Sequence, residues 1–336
     1  MGCKSCLTSD IEEINYFKSI NGLFRFSNKG GECYINSFLN ILLHKDLFLN
    51  IVNSLEKNYD NMKLISELIQ LINNSKIESM ILDTKNIKDI MISINSEAYN
   101  GNGGNLKDLI FDFVNEISSE LQSKDKYHII LPEDQKMNNA LNKLIKKFYS
   151  KNNSVFTEIF YGNNMIESLC QKGHIIDVKF NVFITIDLSI YSFINKDKIY
   201  IEEILNEQYK IKNTKKIKYC DLCNEEVTIH EKELIYNLPK IVIIFLSRSF
   251  DDKYYDNKIE FTKNIDFKNY LKNVDDNEND TIYHLFGIIQ NCNGHYNSIT
   301  INNYDNNWYF FNDESEPLLV NQNINKFNPI ALFYSK

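Results

Sequence analysis

Apolar side chains recur at Ile35, Phe38, Leu39, Leu42 and Leu43, the spacing of one buried face of an α-helix. The pattern predicts a helix from about Cys33 to His44, with Gly30 and Gly31 breaking regular structure just before it. Helical periodicity returns over Met62 to Ile77, Leu106 to Leu121 and Asn138 to Phe148. Strand-like segments begin near Ile175 and dominate to the end of the chain. Among them, Tyr296 to Ile301 and Trp308 to Phe311 flank a polar turn rich in asparagine, Asn302 to Asn307. An acidic, asparagine-rich break falls at Asp275 to Asp280. Helices first and strands later predict an α+β fold.

This pattern puts Cys33 in the first turn of a helix. Unpaired backbone N–H groups and the positive end of the helix dipole there favour a thiolate. The same N–H groups can hold the oxyanion of a tetrahedral intermediate, and Asn28 can add a side-chain donor across the glycine turn. A free cysteine at a helix start is otherwise a small core residue. The distant hairpin decides between the two. Folding it about Tyr304-Asp305 sets Asn312 opposite Asn297, within reach of His295. An amide or carboxylate oxygen there can hold one imidazole nitrogen and leave the other facing a thiol. Cysteine, histidine and carboxamide together predict a cysteine hydrolase.

Two blocks carry a family resemblance. Gly22-Leu23 and Asn28-Lys29-Gly30-Gly31-Glu32-Cys33-Tyr34-Ile35-Asn36-Ser37 resemble the cysteine box of the ubiquitin-specific proteases, a papain-like class of deubiquitinating enzymes. Gly294-His295-Tyr296 and Phe311-Asn312-Asp313 resemble their histidine box. Leu238-Pro239 with Ile241 to Leu246 and Arg248, Tyr283 to Ile289, and Gly104 to Ile117 are similar to blocks between them, so the likeness runs from Gly22 to Lys336. The resemblance implies Cys33 as nucleophile, Asn28 as oxyanion donor, His295 as base, Asn312 as third member and Asp313 as a second acid. It implies ubiquitin as partner, with Asp108 placed to meet the arginines of the ubiquitin tail. It also implies a papain-like fold with a helical thumb (about 21–125), a finger-like β insertion (about 156–236) and a strand-rich palm (mainly 237–336), after a leader at 1–20.

Several positions depart from the family pattern. Lys29, Gly31 and Glu32 replace an apolar residue, an asparagine and a threonine, and Asn40 stands where glutamine is common. The loop before Gly294, Gln290 to Asn293, is shorter than the stretch that covers the ubiquitin tail in relatives. A non-catalytic ubiquitin-binding scaffold, or a papain-like protease acting on another protein modifier, are the competing readings.

Composition narrows the setting. With 336 residues and 43% hydrophobic content the chain can bury one large core or two smaller ones. No apolar run approaches the ~20 residues of a membrane span. Seven cysteines, an odd number, argue for a reducing intracellular compartment, the cytoplasm first, rather than a disulfide framework. A net charge of −8 disfavours nucleic acid and suits a basic protein substrate. Catalysis of this kind needs no cofactor. Cys220-x-x-Cys223 has zinc-knuckle spacing, and Cys170 with His174 can complete a tetrahedral site; a relic knuckle without metal is the alternative. The N-terminal Met1-Gly2-Cys3-Lys4-Ser5-Cys6 would reach a membrane only if Gly2 and Cys3 or Cys6 were acylated, and Cys6 stands where the acylation pattern has serine or threonine.

Overall fold

The computed structural model describes residues 22–55, 62–76, 80–99, 101, 103–122, 134–272, 281–320 and 323–336. The leader with Gly2, Cys3 and Cys6, and the break at Asp275 to Asp280, lie outside the described residues.

The helix expected from Cys33 spans Cys33–Leu43, and all of its residues are buried. Its apolar face explains one side of that burial. Phe38 meets Phe113 edge to face at 5.2 Å and approaches Phe333 at 6.2 Å, so it joins the helical thumb to the strands. Burying a side chain of this size contributes about 1.5–3 kcal/mol. Helices Asp46–Ser54, Lys63–Ser75, Lys85–Ile94 and Leu106–Glu120 complete the thumb.

The palm is an eight-stranded sheet whose main path runs Leu318–Leu319, Trp308–Phe311, His295–Ile301, Ile282–Cys292, Pro329–Ser335, Ile241–Ser247, Thr185–Ser189. Asn264–Asp266 pairs with Ile282–Cys292 off that path. Ile241, Ile243 and Phe245 pack toward the thumb, while Val242, Ile244 and Leu246 pack into the core on the opposite face. Burial of both faces explains why this strand is an unbroken apolar run instead of an alternating one. At Gly287 an added Cβ would lie 2.6 Å from Ile41 Cγ2, so glycine is what lets the Cys33 helix settle onto the sheet.

The fingers form a separate antiparallel sheet ordered Ile175–Phe183, Gly162–Leu169, Glu225–Asn237, Lys212–Cys220. Two expectations change here. Arg25–Phe26 and Ile81–Leu82 already form a short parallel pair, and continuous strand structure begins at Gly162 rather than near Ile175, because Gly162–Leu169 is paired on both edges although its sequence shows little alternation. The segment from Phe156 to Tyr236 is also not finger throughout. Thr185–Ser189 leaves the fingers and pairs in parallel with Ile241–Ser247, which buries Ile186 and Leu188 in the palm core. Beside the fingers, the helix expected over Asn138 to Phe148 runs Gln135–Leu144 and ends in a π turn at Ile145–Tyr149. Asp134 sets its start by accepting a hydrogen bond from the Met137 N–H at 2.8 Å.

Candidate active site

The glycine turn before Cys33 is built by side chains that occupy its backbone. Gly31 has φ +79°, a conformation glycine adopts without steric penalty. Asn28 Oδ1 accepts from the N–H groups of Gly31 at 3.1 Å and Glu32 at 2.9 Å. Glu32 Oε2 accepts from the Gly30 N–H at 2.7 Å. These three donors are thus engaged within the turn. The Cys33 N–H follows them at the first helical position, where helix geometry offers no carbonyl partner.

Opposite the turn, the hairpin has the register that its sequence predicts. Ser298 pairs with Phe311 and Ile301 with Trp308, so continuing the ladder sets Asn312 across from Asn297. His295 Nε2 lies 2.6 Å from Asn312 Oδ1, which makes Nε2 the protonated nitrogen and leaves Nδ1 for the thiol. The hydrogen bond to Cys33 is the largest effect pushing His295 up from its usual value to about 9; Asn312 and the charges of Cys33 and Asp313 add to it, and burial opposes it. Cys33 itself is 7% exposed. Such a pair is poised for exchange of one proton between sulfur and nitrogen.

Asp313 closes the arrangement from behind. Its φ of +47° is a left-handed turn that aspartate tolerates better than most residues. The turn directs Oδ2 to the Asn28 Nδ2 donor at 2.7 Å and Oδ1 to the Asn36 Nδ2 donor at 2.8 Å. Oδ2 also lies 3.6 Å from His295 Nε2. Burial pushes the Asp313 carboxyl up, while the Asn36 and Asn28 donors pull it down. Asn36 is held in turn by Thr84, whose hydroxyl donates to Asn36 Oδ1 at 2.7 Å.

The structure brings Cys33, His295, Asn312, Asp313 and Asn28 into one place. Asp108 is not among them: it is exposed in the first turn of Leu106–Glu120. That helix start nevertheless borders the site: the Leu106 backbone pulls the phenol of Tyr296, next to His295, downward against the larger upward push of burial. The loop expected at Gln290 to Asn293 is mostly strand. Ile282–Cys292 continues to Cys292, and a turn of Asn293 (φ +53°) and Gly294 (φ +85°) leads directly to His295. An Asn-Gly pair between strands is the sequence signal for this turn. Sequence reasoning gave no role to Asn36, Thr84 or Lys88. The signal for Lys88 was a lysine set beside Ile87 and Met91 on the buried side of Lys85–Ile94.

A second cluster sits in the fingers. The turn after Gly162–Leu169 carries Cys170 and His174, with Gly173 at φ +82°; the turn after Lys212–Cys220 carries Cys223 and then Asn224 at φ +56°. The ligand atoms of Cys170, His174, Cys220 and Cys223 all lie within 4.8 Å of one another. His174 Nδ1 is 3.3 Å from Cys223 Sγ and 3.7 Å from Cys220 Sγ, and the Cys170 and Cys223 sulfurs are 3.7 Å apart. These separations match the edges, about 3.3–3.8 Å, of a tetrahedron with ligand distances of about 2.0–2.3 Å. The donor set therefore fits a closed metal site.

Comparison with known proteins agrees with this architecture. The family model described as "Ubiquitin carboxyl-terminal hydrolase" matches residues 24–334. Similar proteins include ubiquitin carboxyl-terminal hydrolase 20 of Arabidopsis thaliana, 27% identical over 126 residues, covering 35% of this chain and 18% of that one. Ubiquitin carboxyl-terminal hydrolase 12 of Saccharomyces cerevisiae is 28% identical over 125 residues, covering 34% of this chain and 10% of that one. These matches thus span less than a fifth of either relative. Among solved structures, a SAGA DUB module of Ubp8, Sgf11, Sus1 and Sgf73 bound to monoubiquitin gives a TM-score of 0.71 at 18% identity, over 94% of this chain and 69% of that one. The module bound to ubiquitin aldehyde gives 0.70 at 19% identity, over 98% and 71%. At such identities the likeness speaks to fold alone: an α+β papain-like fold of thumb, palm and fingers. With the family model spanning nearly every residue from the glycine turn to the last palm strand, the chain belongs to the ubiquitin carboxyl-terminal hydrolase family.

Proposed function

We propose that this protein is a thiol-dependent deubiquitinase that cleaves the bond after the C-terminal glycine of ubiquitin. The observation that carries the reading is the meeting of His295 with Cys33, the imidazole being held with Nε2 2.6 Å from Asn312 Oδ1. His295 takes the Cys33 proton, and the thiolate attacks the isopeptide carbonyl carbon. Asn28 uses one amide hydrogen on Asp313, and its second amide hydrogen, with the Cys33 N–H, stabilises the oxyanion. Collapse of the intermediate expels the lysine amine, which receives its proton from His295. Water, deprotonated by His295, then attacks the thioester and releases the ubiquitin carboxylate. Asp108, exposed at the start of the thumb helix, offers a carboxylate to the basic ubiquitin tail. The odd count of seven cysteines places the enzyme, in this reading, in a reducing, intracellular and cytoplasmic setting. A ubiquitin probe with a C-terminal electrophile is expected to attach once, at Cys33. Attachment at Cys292, at the end of the strand leading to His295, would displace the assignment of the nucleophile.

The finger cluster, in the same reading, holds one structural zinc through Cys170, His174, Cys220 and Cys223. When bound, the metal ties two hairpin turns together and supplies no chemistry to Cys33, since all four ligand positions are filled by protein. Purified protein is expected to contain close to one zinc per chain. Chelation should loosen the fingers and weaken ubiquitin binding while small-molecule alkylation of Cys33 continues. A zinc content near zero, with Cys220→Ser as stable as the parent, would leave the cluster a relic.

A further inference from the structure

Behind the glycine turn lies a buried charge pair that the proposed reaction steps do not use. Glu32, the residue before Cys33, is 7% exposed, and Lys88 is 9% exposed. Lys88 Nζ lies 3.5 Å from Glu32 Oε1. Each partner also holds the turn itself. Glu32 Oε2 accepts from the Gly30 N–H at 2.7 Å, and Lys88 Nζ donates to the Gly30 carbonyl. Lys88 reaches the Gly101 carbonyl at 3.5 Å as well, so it links the turn to a neighbouring segment of the thumb. Gly30 thus has its N–H held by one member of the pair and its carbonyl by the other.

The chemistry of the position is specific. A carboxylate buried one residue before a thiol opposes the thiolate unless a cation compensates it. The charge of Glu32 is felt locally: the Tyr34 phenol is pushed up to about 12, by burial first and by Glu32 next. Buried ion pairs add little net stability, but removing one partner leaves an uncompensated charge at large cost. Lys88 is therefore the group on which both the shape of the turn and its charge depend.

We propose that Glu32 and Lys88 are a positioning pair for the Cys33 chemistry. Lys88 fixes the Gly30 peptide, and with it the Asn28 amide and the Cys33 N–H, in the geometry that receives the oxyanion. It also cancels the Glu32 charge beside the thiolate. The inference deepens the deubiquitinase reading and rests on it. The other titratable groups interacting with Cys33 are His295 and Tyr296 from the palm and Tyr34 on its own helix, with Asp313 behind His295; all of them are retained in the variants below.

The test compares the parent with Lys88→Met, Lys88→Arg, Glu32→Gln and the double variant Lys88→Met/Glu32→Gln. Two rates are read: cleavage of a ubiquitin-amide reporter, and alkylation of Cys33 by iodoacetamide from about pH 5 to about pH 10. Lys88→Met is expected to lower kcat about 10²-fold, as loss of an organised oxyanion donor does, with KM within about threefold. Its alkylation profile should move to higher pH, because the Glu32 charge then stands uncompensated beside the thiol. Adding Glu32→Gln should recover roughly tenfold in kcat and return the profile, because it removes the charge left unpaired. Lys88→Arg keeps the charge and should stay within about tenfold of the parent. A kcat loss that the second substitution does not relieve overturns the pair, as does a loss carried by KM or an alkylation profile that stays in place while the melting temperature falls. Alkylation needs no ubiquitin. A parent that alkylates at Cys33 but leaves the reporter intact faults the deubiquitinase reading instead, and the alkylation profiles still decide the pair.

Discussion

Cys33→Ala is expected to abolish cleavage of a ubiquitin-amide reporter while leaving ubiquitin binding in place. Loss of the nucleophile from a unit that acts together costs about 10⁶ in kcat in comparable hydrolases. Binding should survive because Cys33 is 7% exposed and offers a partner almost no surface. Alanine also fits the helix start, where Cys33 is followed by residues buried without exception along Cys33–Leu43. Reporter kinetics together with binding measured by calorimetry check both halves. Residual turnover above about one part in a thousand of the parent rate would mean that another group attacks, with Cys292 the first to examine.

The second large effect concerns the groups behind His295. His295→Ala should lower kcat by about 10⁴ or more, since it removes both proton-transfer steps. Asn312→Ala should cost less, about 10–10², because the amide orients the ring without moving a proton itself. Asp313 stands 3.6 Å from the same nitrogen and can take part of that task. Replacing Asn312 and Asp313 together should then be much worse than the product of the single effects; simple additivity would show that they do not share the role. The same variants should be visible in the titration of His295 by NMR. In the parent its midpoint is expected near 9, raised first by the Cys33 hydrogen bond and then by Asn312. Cys33→Ala should lower it most and Asn312→Ala less. The sign for folding follows from a raised value: the contribution of protonated His295 is full below its unfolded value of about 6.5 and is lost as pH rises toward about 9. A parent midpoint near 6.5 would remove the thiol–imidazole pair from the site.

Much of this site was legible because its parts follow local rules. Ile35, Phe38, Leu39, Leu42 and Leu43 lie on a repeat that only a helix places on one face, so the position of Cys33 at a helix start could be read directly. The hairpin from His295 to Phe311 has a two-residue side-chain period, and its register follows from where the polar turn is centred; Asn312 could therefore be counted into place. The four clustered finger residues Cys170, His174, Cys220 and Cys223 were readable from spacing within each turn. Their meeting also required two hairpins of the same sheet to end at one level, which the pairing of Glu225–Asn237 with both neighbours provides.

Other features were not available along the chain. Thr185–Ser189 has the composition of any short strand, and its place in the palm depends on an edge of Ile241–Ser247 left open for parallel pairing. Asn28 read as a donor across the glycine turn, yet its oxygen organises that turn and one amide hydrogen goes to Asp313, which arrives from the far end of the chain. Lys88 on Lys85–Ile94 gave no sign of its partner, because a buried ion pair exists only once two distant elements exclude water from both charges. Sequence alone determined which residue types stand at a helix start, a strand start and a turn, since backbone geometry and side-chain period are local properties. Only tertiary structure decided which of them share protons and charge, because hydrogen bonds and charge compensation act through space between segments whose separation in sequence carries no information about it.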